Sequence, residues 1–188
     1  KLRLAVDYPG LVEGGEGLQG SKLETFMELL KGVMNNGHKV LVFSQFVKFL
    51  SVVRDTLDNA GISYQYLDGT MTAKERNAAV ESFQGGEVPV FLISLKAGGL
   101  GLNLTQADYV IHLDSWWNPA VENQASDRAY RLGQNKPVTI YHLRTTNTIE
   151  DKIKALHKRK LDLADQLLAN TDTIESTSLE ELLTLIRE

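Results

Sequence analysis

From Ser21 onward the chain switches repeatedly between two hydrophobic periods. Leu23, Phe26, Leu29, Leu30 and Val33 recur at three- and four-residue intervals, the stripe of an amphipathic helix, and Asn35-Asn36-Gly37 stops it. Ser21 followed by Glu24 has the form of a capping box for its first turn. Lys39–Phe43 is then a short apolar run of the kind buried on both faces of a parallel sheet. The alternation continues with a helix over about 46–59 and a strand near Ser63–Leu67. A second capping box, Thr72 with Glu75, opens a helix to about Phe83, and a strand Pro89–Ile93 follows. After a glycine-rich loop come a strand Tyr109–Leu113, a helix around Ala120–Arg131 and a strand Val138–Leu143. Five strands separated by helices predict βαβ units, hence an α/β fold with a parallel sheet covered by helices on both faces.

The flanks read differently. Gly10, Gly14, Gly15, Gly17 and Gly20 predict a lead-in over residues 1–20 without regular structure. After the sheet, Ile149, Ile153, Leu156, Leu161, Ala164 and Leu168 predict one long helix over about Thr148–Leu168, and Ser178 with Glu181 caps a last short one. The expected organisation is a lead-in at 1–20, an α/β lobe at 21–147, and helices at 148–188 that pack back on it.

Composition narrows the chemistry. With 43% apolar and 23% charged residues in 188, the chain has the balance of a globular protein and excludes a disordered tail or a coiled-coil rod. No apolar run approaches the ~18 residues of a membrane span, so no membrane is expected as a partner. The absence of cysteine removes disulfides, zinc fingers, iron–sulfur sites and thiol nucleophiles together. The four histidines, His38, His112, His142 and His157, contain no helical i, i+4 pair, and no metal site is expected. The chain begins at Lys1 rather than Met, with no signal segment, and reads as part of a longer protein.

Net charge is −4, which argues against nucleic-acid binding by bulk charge, but the charge is unevenly spread. Residues 124–160 hold nine Lys/Arg and three Asp/Glu, whereas residues 161–188 hold one Arg and seven acids. The basic stretch fits either a phosphate-facing surface or a solvated helix face.

Two patterns imitate nucleotide loops. Gly15-Glu16-Gly17-Leu18-Gln19-Gly20 matches G-x-G-x-x-G, but no strand precedes it directly and Glu13 and Glu16 would repel phosphate. Gly20-Ser21-Lys22 ends a near P-loop with the hydroxyl and ammonium in the wrong order. The chain therefore has no P-loop of its own, nor an Asp-Glu pair ending an apolar strand. Three other segments are better candidates. In Ser94–Leu104, glycines at 98, 99 and 101 allow close backbone approach and an anion nest, with Ser94 and Lys96 beside it. Gln124, Arg128 and Arg131 fall on one helical face, and planar guanidinium groups suit phosphate oxygens. Asp114-Ser-Trp-Trp-Asn-Pro119 follows the fourth strand, at the edge where parallel sheets gather ligands.

The blocks Val40–Phe46, Leu67–Thr70, Ser94–Leu104, Asp114–Pro119 and Gln124–Gln134, in this order and spacing, resemble the second RecA-like lobe of superfamily-two helicases in its Swi/Snf-type form. The resemblance spans essentially the whole chain, and its lack of large insertions is closer to prokaryotic members. It implies one half of an ATP-driven motor on double-stranded DNA. ATP and Mg2+ would be held mainly by an N-terminal RecA-like lobe of the same polypeptide, which would carry the P-loop and Asp-Glu elements. It further implies that Arg128 and Arg131 are arginine fingers, and that Gln124, Asp127, Gly99 and Gly101 belong to nucleotide binding and coupling. Ser44, Gln45, Gly69, Thr70, Ser94 and Lys96 would contact DNA phosphates, while Met71 stands where the family often has a small hydroxyl. The helix from Thr148, with Lys154, Lys158, Arg159 and Lys160, resembles a brace to the first lobe. Such a protein is expected in the cytoplasm, at the nucleoid or, in a eukaryote, in the nucleus, and the lone lobe should be inactive. A strand-separating or RNA-acting helicase, or a non-catalytic binding module of the same fold, remain the alternatives.

Overall fold

Each apolar run forms a strand in the computed structural model, which describes residues 2–15, 18, 20–95, 97, 102, 104–116, 119–127, 129, 137–156 and 158–159. The strands are β1 (Val40–Ser44), β2 (Tyr64–Leu67), β3 (Val90–Ser94), β4 (Tyr109–His112) and β5 (Thr139–His142). All pair in parallel, in the order β2-β3-β1-β4-β5. The helices are α1 (Leu2–Asp7), α2 (Ser21–Asn35), α3 (Val47–Asn59), α4 (Ala73–Gln84) and α5 (Pro119–Ser126), with a further helical stretch, α6, at 149–156. Residues Lys1–Ile153 and Lys154–Glu188 fall into two separate compact units.

Strand alternation distributes the core to the two faces. Val40, Val42, Val90, Leu92, Ile111 and Leu113 pack with α2 and α3 through Phe26, Leu30, Phe49, Leu50, Val53 and Leu57. Leu41, Phe43, Phe91, Ile93 and Val110 point the other way, onto Ala79 and Phe83 of α4 and Ala125 of α5. Full burial of each such Leu or Phe contributes about 1.5–3 kcal/mol, which is why the central strands β1 and β3, buried along their whole length, are apolar up to their last residues, Ser44 and Ser94.

The helix ends show where local reading succeeds and fails. Thr72 and Glu75 form the expected capping box: the Glu75 N–H donates to the Thr72 hydroxyl oxygen at 3.3 Å, and the Thr72 N–H donates to the Glu75 carboxylate at 2.8 Å. Ser21 does not cap α2. The helix starts one residue early, with Gly20 at the N-cap and no side-chain cap. A Cβ at Gly20 would lie 2.9 Å from the Tyr8 ring, so the chain is pressed too closely there for a capping side chain. Gly37, at φ +75°, closes α2 in the left-handed region that favours glycine. Residues 1–20 are not without regular structure: the glycine-free run Leu2–Asp7 is helical, and Pro9–Leu11 makes a 3-10 turn. The imitation nucleotide loop has a steric role at Gly15, where a Cβ would collide with the Pro9 carbonyl.

The helix expected through Arg131 ends sooner. Asp127 and Ala129 lie in turns, and the Ala129 N–H bonds the Ser126 carbonyl. The Ser126 hydroxyl bonds back to the Glu122 carbonyl at 3.1 Å, a contact that loosens helical geometry. The last helix expected from Ser178, and the part of the preceding helix beyond Arg159, lie outside the described residues.

Candidate functional site

Because the strands are parallel, their carboxyl ends share one edge. There β1 delivers Ser44 and Gln45, β2 delivers Asp68-Gly69-Thr70, β3 delivers Ser94, and β4 delivers Asp114-Ser115-Trp116 leading into α5. Sequence blocks far apart in the chain are thus brought to one rim. Lys96, Gly99, Gly101, Arg128 and Arg131 lie outside the described residues.

Asp114 organises the centre of the rim. It is 2% exposed, and its carboxylate accepts the Ser44 hydroxyl, the Gln45 N–H at 3.2 Å and the Gln45 side-chain amide at 2.8 Å. Burial pushes this carboxyl up, partly countered by those donors from Ser44 and Gln45. Ser44 is fully buried, as is Ser94 beside it in the β1–β3 register, so neither hydroxyl faces solvent. Gln45 is half-buried, and Gly69 and Thr70 are exposed.

Asp68 fixes the turn after β2. The Thr70 N–H and hydroxyl donate to it at 2.8 and 2.6 Å, and the Tyr66 hydroxyl at 2.8 Å. Burial raises the Asp68 carboxyl, but these donors outweigh it and hold the group below its ordinary value. Met71, in the place of a small hydroxyl, packs instead against the core on the α4 side.

Helix α5 carries Gln124 exposed and is anchored beneath by polar contacts. The Trp116 N–H donates to Glu122 at 2.6 Å, and Ser126 meets the Nε2 of His112 at 2.9 Å. His112 is fully buried between Phe43 and His142, its ring centroid 5.4 and 4.8 Å from theirs. Burial, helped by His142 and Arg144, lowers the imidazole to about 3, so it is neutral here. Asp127 is exposed in the turn that follows.

Behind the rim lies a charge cluster that local sequence pattern does not reveal. The Lys22 ammonium donates to Asp7 at 2.7 Å and to Glu150 at 2.8 Å, and all three side chains are at most 3% exposed. Burial, with Asp114 nearby, raises the Asp7 carboxyl to about 7 against the pull of Lys22. Lys22 sits where a first-turn lysine would ordinarily be solvated, and its partners lie 15 and 128 residues away. The one local hint is that Lys22 shares the stripe of Phe26, Leu30 and Val33 at helical spacing.

The profile of the helicase conserved C-terminal domain matches residues 21–133. YwqA of Bacillus subtilis (strain 168), named an ATP-dependent helicase/translocase, is 42% identical over 98% of this chain and 21% of its own length. Protein CHROMATIN REMODELING 24 of Arabidopsis thaliana is 49% identical over 70% of this chain and 12% of its own. The solved C-terminal domain of the Sulfolobus solfataricus SWI2/SNF2 ATPase superposes with a TM-score of 0.70 at 34% identity, covering 88% of this chain and 68% of that one. The chain spans about a fifth or less of these two relatives' length. Its sheet, its rim and these likenesses agree: the chain belongs to the helicase conserved C-terminal domain family, and its fold is the RecA-like fold of Swi2/Snf2-type C-terminal domains.

Proposed function

We propose that the chain is the second motor lobe of an ATP-driven translocase on double-stranded DNA. In this reading Arg128 and Arg131 reach the γ-phosphate of ATP bound, with Mg2+, mainly on an N-terminal RecA-like lobe of the same polypeptide. A guanidinium fork stabilises the charge that develops there during phosphoryl transfer. Gln124 and Asp127, both exposed at α5, stand beside the arginines in sequence, and Gly99 and Gly101 couple DNA to nucleotide. Exposed Gly69 and Thr70, half-buried Gln45 and the lysine at 96 contact DNA phosphates. Ser44 and Ser94, being buried, set the backbone of that track from behind. Residues 148–188 brace the two lobes.

The observation that supports this reading is the convergence of the β1, β2, β3 and β4 ends on one sheet edge, each bringing one of the blocks that carry the resemblance to Swi/Snf-type motor lobes. A DNA motor of this kind works at the nucleoid or in the nucleus. The test is ATP hydrolysis by the two-lobed protein with duplex DNA, single-stranded DNA and RNA. Duplex DNA alone should stimulate turnover, and this chain by itself should show none. Stimulation by single strands or RNA points to a strand-separating or RNA-acting enzyme, and turnover by this chain alone contradicts the two-lobe reading.

A further inference from the structure

Every polar group of Ser115 is engaged from another part of the chain. Glu150 accepts its N–H at 3.2 Å, Arg144 donates to its hydroxyl at 3.3 Å, and Arg3 and Gln45 both donate to its carbonyl, Gln45 at 3.2 Å. The turn after β4 is therefore held by α1, by the loop after β1, by the segment after β5 and by the first turn of α6. Glu150 also accepts the Thr145 N–H at 2.8 Å and the buried Lys22 ammonium, which reaches on to Asp7 at the end of α1. A buried ion cluster contributes little net stability over apolar groups of the same shape, because desolvation offsets the attraction. It does impose geometry, since charge-assisted bonds in a buried site are short and directional. The residue after Ser115, Trp116, is in turn bonded to Glu122 of α5.

We propose that Glu150 and Lys22 are positioning residues that tie the segments entering and leaving the sheet to the Ser115 turn, and so set the placement of α5 and the arginines that follow it. The catalytic half of this proposal rests on the reading of the chain as a motor lobe. Both side chains are only 3% exposed, so they act through the turn rather than by contact with nucleotide or DNA. Any shift of α1 or of the start of α6 is passed to the turn through Arg3, Lys22 and Glu150.

Trp116 directly follows Ser115, is half-buried and is bonded to α5, so tryptophan emission reports on this turn. Two variants are needed: Glu150→Gln, and the double variant Lys22→Met with Glu150→Met. The double variant leaves no unpaired buried charge, because Asp7, already at about 7, takes up a proton. Its side chains keep their volume, but the Ser115 and Thr145 N–H groups lose their acceptor, so it should still fold and melt about 5–15 °C below wild type. Both variants should show increased acrylamide quenching of the tryptophans. In the two-lobed enzyme, both should lose about tenfold or more of DNA-stimulated kcat with the KM for ATP unchanged, since small misplacements at a reacting centre cost up to ~10²-fold. Wild-type quenching in both variants overturns the proposal. So does normal kcat per folded molecule, or a double variant that fails to fold, which would make the cluster a stability element. A wild-type enzyme that DNA does not stimulate would instead sink the motor reading, and the quenching would decide the positioning claim alone.

Discussion

The Gln45 side-chain amide donates to the buried Asp114 carboxylate over 2.8 Å, joining the ends of β1 and β4 across 69 residues of sequence. With the Ser44 hydroxyl and the Gln45 N–H on the same carboxylate, one side chain serves three donors at the centre of the rim. Asp114→Ala leaves these donors without their acceptor. The expected loss is about 2–4 kcal/mol, read as a fall in Tm of about 5–15 °C for a chain of this length. Asp114→Asn keeps one acceptor oxygen and should cost less. An unchanged melting curve for the alanine variant would mean that the carboxylate is not the organising group.

Asp7 and His112 act on stability with opposite signs. The Asp7 carboxyl, ordinarily near 3.8, is raised to about 7 in the folded chain by burial. Between those values the folded state holds the extra proton, so this term weakens folding as pH rises from 4 to 7. The His112 imidazole, ordinarily near 6.5, is lowered by burial to about 3. There the unfolded chain holds the extra proton, so this term weakens folding as pH falls from 6.5 towards 3. Relative to wild type, Asp7→Asn should therefore gain Tm as pH rises from 4 to 7, and His112→Phe should gain as pH falls below 6.5. Thermal melts across this range check both slopes, and either slope with the opposite sign contradicts the corresponding burial argument.

How far the fold was legible follows from the range of the forces involved. The apolar runs of β1 and β3 announce themselves because burial on both faces favours an unbroken apolar stretch up to the terminal serines, and the Thr72–Glu75 cap is legible because its partners are three residues apart. The end of α5 at Ser126 was not legible, because it depends on contacts with Glu122 and His112. The helix Leu2–Asp7 was hidden by the glycines that follow it. Site chemistry divides the same way. Sequence brings Ser44, Gln45 and Asp114 forward as parts of separate blocks, but only the fold shows that Ser44 and Gln45 bond to Asp114. Lys22 and Glu150 carry no local signal that they are partners, since 128 residues separate them.

Lys96 offers a test of the DNA track. A lysine that neutralises one phosphate releases one condensed counterion, so Lys96→Ala should weaken duplex binding by the two-lobed protein to a similar degree on every sequence. It should also flatten the slope of log affinity against log salt by about 0.9. Fluorescence anisotropy with two unrelated duplexes over a range of salt measures both. A sequence-dependent loss, or an unchanged slope, would contradict a backbone contact at this position.

The arginine pair tests the central claim most directly. DNA-stimulated kcat, Tm and duplex affinity are to be measured together on the two-lobed protein with Arg128→Ala, Arg131→Ala and Arg128→Lys. Arginines that act across a lobe interface contribute about 10³–10⁵-fold to turnover, so each alanine variant should lose most of its kcat while Tm and DNA affinity stay near wild type. Lysine should not rescue, because a point charge cannot reproduce the planar fork. A variant that melts early yet turns over normally per folded molecule would contradict the account and make these arginines structural ion-pair partners.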